Sequence, residues 1–129
     1  MATTRQDWVT GPSAADITLY QNDATEIKFY PFGTDPTDLP AAFASYNYVL
    51  DVWQGTSFGT LLLTSTGSAP ITTNINTSTG LVTFTLPRTN ALTLTWTSPQ
   101  SYDIREIDDA GGIQTLLAGK VTLVTRGSV

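Results

Sequence analysis

Residues 102–124 read YDIREIDDAGGIQTLLAGKVTLV. Their centre, Asp108-Asp109-Ala110-Gly111-Gly112, separates two runs of β-branched and aliphatic residues, so the fold turns on whether that centre is an acidic ligand loop or the reversal of a hairpin. The carboxylates of Asp103, Glu106, Asp108 and Asp109 would suit a hard cation such as Ca²⁺, which wants several oxygens in one loop. The turn reading costs less, because Asp and Gly supply tight reversals and the flanking alternation is what a hairpin requires. On that reading the acids solvate a turn and the chain ends in two long paired strands.

The same alternation extends upstream. Period-two segments separated by Gly, Pro and Asn predict strands at 16–20, 25–30, 46–54, 60–64, 71–76, 81–86, 101–107 and 113–124. Helix is confined to possible turns at Pro40–Ser45 and Pro87–Leu92. Thr is abundant, aromatics make up 10% of the residues, and charged residues are only 13%, half the usual share of about 25%. Such side chains favour a pleated sheet, and such a surface favours contact with other protein. The expected fold is all-β: an antiparallel sandwich of about seven to nine short strands. Residues 15–129 form this single domain, preceded by an extended polar arm at residues 1–14.

Faces follow from the register. Tyr46, Tyr48, Leu50 and Val52 form one apolar set, as do Val82, Phe84 and Leu86, and Ile27 with Phe29. In the last strand Ile113, Leu117, Val121 and Leu123 share a face with Gly119. A glycine there either leaves a hole for a large neighbour such as Tyr102 or marks a β-bulge. Val49, Asp51 and Trp53 fall on the outward register of their strand.

At 129 residues the chain can bury roughly two thirds of its unfolded surface without a disulfide or metal. It contains neither His nor Cys, which removes Ser-His-Asp and Cys-His sites and the usual zinc ligands. Carboxylate pairs, Asp51 beside Trp53 or Asp103 with Glu106, would be needed for glycosidase chemistry, and ordinary solvent-facing acids explain them more simply. We therefore expect no catalytic residue, no metal and no cofactor. Six basic residues scattered over a chain of net charge −5 cannot track a phosphate backbone, so nucleic acid is not an expected partner. No apolar run approaches the about 20 residues of a membrane span, nor does the N-terminus carry a signal-peptide core, so a soluble protein in a cytoplasm is expected.

The tryptophans are the residues best suited to bind something. Trp8, with Val9, sits on the polar arm, where burial against a preformed groove is worth about 4 to 6 kcal/mol before ordering costs. That groove belongs to a neighbouring subunit or, alternatively, to the same domain. Trp53, with Val49, faces a partner or lies under a loop of its own domain; Trp96 is expected at a sandwich edge. Trp8, Val9, Val49 and Trp53 are the candidate subunit-interface residues.

The final hairpin also resembles a known group. Its pattern Y-D-I-x-x-x-D-x-x-G, followed by LL-x-G-x-V-T-L-V, is carried by Tyr102, Asp103, Ile104, Asp108, Gly111, Leu116, Leu117, Gly119, Val121 and Leu123. It is similar to small phage tail and baseplate proteins with an immunoglobulin-like sandwich, typified by the N-terminal docking domain of the siphophage baseplate upper protein. Residues 16–32, DITLYQNDATEIKFYPF, resemble that group's opening pair of strands. Glu106 departs from the pattern, standing where an inward apolar residue belongs, so either the strand leaves the core there or a bulge hands the role to Ile107. The resemblance implies a non-enzymatic structural protein of the virion, in tail, baseplate or neck, assembled in the host cytoplasm. Its partners would be other virion proteins and copies of itself, with threefold or sixfold symmetry. A capsid decoration protein and a carbohydrate-binding module using Trp53 as a stacking platform are the competing readings. Scattered tryptophans speak against the second.

Overall fold

A computed structural model describes residues 3–8, 13–14, 16–21, 23–55, 59–66, 70–91, 94 and 100–124, the first two segments by backbone alone. Its strands are β1 (Thr3–Trp8), β2 (Ser13–Ala14), β3 (Ile17–Tyr20), β4 (Ala24–Phe29), β5 (Asn47–Gln54), β6 (Thr60–Thr64), β7 (Thr72–Ile75), β8 (Val82–Leu86), β9 (Gln100–Ile107) and β10 (Ile113–Val124). They form two sheets packed as a β-sandwich. One sheet has the order β1-β4-β8-β7; the other runs β2-β10-β9-β5-β6, with β3 also on β10. Each of the eight strands expected from periodicity is present. The expected helical turns appear as one 3-10 turn at Phe43–Ser45 and one short helix, α1 (Arg88–Ala91).

Two expectations about the strand pairing need correction. Thr3–Trp8 does not stand apart as an arm: it pairs in parallel with β4, Thr3 beside Ala24 through Trp8 beside Phe29. Nor is the sandwich wholly antiparallel, since β2 and β3 also run parallel to β10. An edge strand has one neighbour and needs no alternating apolar face, so TTRQDW carries no period-two signal. Between β2 and β3 the ladder is interrupted, and there the Asp16 carboxylate accepts the Lys120 N–H at 3.1 Å.

The core lies between the sheets. Phe29, Val82, Phe84, Tyr102, Ile104, Leu117 and Val121 have no measurable exposure. Phe29 meets Tyr48 edge-on at 5.7 Å and stacks with Phe84 at 6.3 Å, both within the range in which aromatic pairs attract. Among the described residues a void of about 10 Å³ is bounded by apolar side chains such as Ile17, Leu50, Phe84 and Val121, at most room for one water. At the β7–β8 turn Gly80 has φ +81°, and a Cβ there would lie 2.7 Å from Leu39, which folds over it.

The β9–β10 hairpin resolves the register. Gly119 pairs with Tyr102, as expected for a large side chain across a glycine. The irregularity lies between Thr115 and Leu117 instead. One extra residue there reverses the phase of the strand's first half, so Ile113, expected inward, is 65% exposed while Leu116 and Leu117 are buried. Glu106 keeps the inward phase of Tyr102 and Ile104, at the end of the core, and its carboxylate accepts the Tyr48 hydroxyl at 2.7 Å.

Candidate functional site

The hairpin tip is a turn built by one side chain. Asp108 Oδ1 accepts the backbone N–H of Ala110 at 2.9 Å and of Gly112 at 2.7 Å, and Gly111 adopts φ +85°. Asp and Gly are the residues such a reversal selects. Because the Asp108 carboxylate is occupied by its own loop, the acids here hold a turn. Among the described residues no group of three or more His, Cys, Asp or Glu side chains is placed to hold a metal.

The outer face of the larger sheet concentrates the chemistry. Odd-numbered residues of β5 and β9 point outward, and the register sets Val49 beside Arg105, Asp51 beside Asp103 and Trp53 beside Ser101. On β6, Thr64 pairs with Asp51 and Leu61 with Trp53, across an irregularity that bulges Leu62. These side chains close on one another. Arg105 forms an ion pair with Asp51 and reaches Asp103 at 3.9 Å from Nε. Thr64 donates its hydroxyl to Asp51 at 2.6 Å, and the Trp53 indole N–H approaches Asp103 at 3.5 Å.

Burial and charge follow. Asp51 is 4% exposed and Asp103 2%, on a face where carboxylates ordinarily meet water. Burial pushes the Asp103 carboxyl above the usual carboxylate range and the Asp51 charge adds to this, while the Trp53 N–H and Arg105 pull the other way. A carboxyl raised by burial beside a second carboxylate side chain is the arrangement in which acid chemistry is sought. The geometry does not open it to a substrate: Asp51 is held by two partners and both carboxylates are covered. The pairing of Asp103 with Glu106 is not formed, because the two project from opposite faces of β9.

The candidate interface residues fall as follows. Val49 is buried and Trp53 partly buried, with its indole turned to Asp103. Trp8 ends β1, and its side chain, together with Val9 and Trp96, lies outside the described residues. Sequence reasoning assigned Asp51 and Trp53 to one outward register but missed that Asp103, Arg105 and Thr64 join them. The parity of β9, with Tyr102 and Ile104 inward, was the signal that would have placed Asp103 and Arg105 on the same side.

A second concavity lies where the sheets open at one flank. Asn47, Tyr48, Val49, Ser65, Thr66, Thr73 and Ile107 line it, a surface of hydroxyls and an amide mixed with apolar side chains. Close by, Phe32, Phe43 and Tyr46 pack edge-on or tilted at about 5.8–5.9 Å.

No family model matches the chain, and no curated protein matches it. Among solved structures the chain is similar to the cysteine protease inhibitor EhICP2 from Entamoeba histolytica, at 12% identity and a TM-score of 0.45, over 95% of this chain and 97% of that one.

Proposed function

We propose that this chain is a non-enzymatic structural subunit of a bacteriophage particle, a sandwich module in tail, baseplate or neck that holds neighbouring subunits in place. The observation that carries the reading is that the buried polar side chains on the outer face of β5, β6 and β9 are engaged chiefly with one another. Asp51, Asp103, Arg105, Trp53 and Thr64 bind each other, and the void between the sheets lined by Ile17, Leu50, Phe84 and Val121 is only about 10 Å³. Such a sheet presents stable surface and little chemistry, which suits assembly better than turnover. A sugar-binding module would set its aromatic rings on open ground, whereas the Trp53 indole is directed at Asp103. The sparse charge and the resemblance of the Tyr102–Leu123 hairpin to tail and baseplate proteins support the same reading.

The test is the protein content of purified particles. Peptides of this chain should copurify with nuclease-treated particles from a producing lysate at fixed stoichiometry to the tail proteins. Their absence from intact particles, or glycan hydrolysis that disappears with Asp51→Asn, overturns the reading.

A further inference from the structure

We propose that the flank of the sandwich bounded by β6 and β7 is the surface through which this chain pairs with a second copy of itself, an inference that rests on the reading as an assembly subunit. The chain carries six basic and eleven acidic residues, yet none falls between Asp51 and Arg88. At the chain's own 13% charge, residues 52–87 would carry about five. That neutral segment builds β6, β7 and β8, and it supplies the terminal strand of both sheets. One concavity is lined both by Ser65 and Thr66, which follow β6, and by Thr73 of β7, so the end of one terminal strand lies beside the other.

Terminal strands are a hazard that soluble proteins blunt with charge, proline or bulges. The other end of the smaller sheet follows the rule, since β1 carries Arg5 and Asp7. Here β6 has a bulge but exposes Leu61 at 45%, and the four residues of β7 include no charge, proline or bulge. Thr72, Thr73 and Asn74 are exposed, and β7 pairs regularly with β8 on one side while no described strand lies on the other. An edge kept uncharged and regular is an edge that is paired in use.

Charge selects the occupant. Two molecules of net charge −5 repel wherever their acids meet, and the neutral flank is where identical copies approach without that penalty. Antiparallel pairing of β7 with its twin about Thr73 places Thr73 opposite its own counterpart and Thr72 opposite the counterpart of Asn74. Those are small polar pairs of the kind that bond across strands, in a self-complementary two-fold contact.

Sedimentation velocity over a concentration series tests this with the full chain. The unmodified protein should dimerise as concentration rises, and Thr73→Lys should weaken the dimer by about tenfold or more. Thr122→Lys, the same charge at an exposed position of β10, should leave it unchanged. Circular dichroism confirms folding of each variant; should Thr73→Lys not fold, Asn74→Lys gives the same readout. A chain that stays monomeric to about 0.5 mM overturns the proposal, as does a dimer indifferent to lysine on β7. The virion reading is decided separately: a chain present in particles yet monomeric here removes only this surface, and a dimer absent from particles removes only that reading.

Discussion

Asp51 and Asp103 lie directly opposite each other on β5 and β9, both turned away from the core and both sequestered from water, with Arg105 shared between them. Two buried anions are tolerable side by side because one cation and two neutral donors are fixed around them. Removing the cation while leaving the anions is therefore far more damaging than removing the whole set.

Arg105→Met should lower unfolding stability by about 3 kcal/mol in urea titration, the usual result of stranding a buried charge. Adding Asp51→Asn should recover part of that loss. A single-variant loss under about 1 kcal/mol would mean that water reaches the cluster and screens it.

Acid should treat this protein unusually. The Asp103 carboxyl titrates above its unfolded value because burial disfavours its charge, so the folded state takes up a proton before the unfolded chain does. The groups facing it are Asp51 and Trp53 on β5, Arg105 on its own strand and, on β10, Ala118 directly opposite with Lys120 beyond. For a raised pKa the stabilising contribution is complete below the ordinary Asp value of about 4 and is lost as pH rises through the folded value. Relative to Asp103→Asn, the native chain should thus gain melting temperature between pH 7 and pH 4. Parallel curves for the two proteins would show that Asp103 titrates like an exposed acid.

Thr25 is 1% exposed, and its hydroxyl has no hydrogen-bond partner among the described residues, in a position where Ile27 and Phe29 share its inward face. Thr25→Val replaces that hydroxyl with a methyl of similar shape. It should stabilise the fold by about 1 to 2 kcal/mol, the penalty of a buried unpaired polar group. No gain in calorimetry would mean that a partner for the hydroxyl is present in solution.

Asp108 separates the two readings of the hairpin tip. Asp108→Asn keeps the oxygen that accepts from Ala110 and Gly112 and should be nearly neutral, whereas Asp108→Ala should lose about 1 kcal/mol. A rise in melting temperature on adding calcium, abolished by Asp108→Asn, would restore the ligand-loop reading.

Most strands from β3 to β10 were legible because they bury one face, as β3, β4 and β8 do, and burial writes a period of two into the sequence. What stayed hidden lay where that constraint is absent. The two residues of β2 are too few for a period, and β1 pairs with β4 alone among the described strands. Ile113 was misplaced because a single extra residue near Leu116 reverses everything before it, and an alternating sequence looks the same on either side of such a slip. The Asp51 cluster was half visible for a related reason: parity gives the face of each strand, but which acid meets which cation depends on cross-strand register.

The N-terminal strand decides how the chain begins its work. Six ordered residues lose about 1 to 2 kcal/mol each in backbone entropy, and their ladder bonds return about 0.5 to 1.5 kcal/mol each, so pairing alone leaves β1 close to balance on β4. Trp8, register partner of Phe29, is the large apolar residue of the strand, which makes it the position to test. Deleting residues 1–8 should then lower the melting temperature by about 5 °C or more and leave β4 as a bare edge prone to aggregation. Trp8→Ala should reproduce most of that loss. If both proteins melt like the native chain, β1 contributes nothing to its own domain, and the six residues are free to pair with a neighbouring subunit instead, which deuterium exchange at Thr25–Phe29 in the assembled and dilute states would show directly.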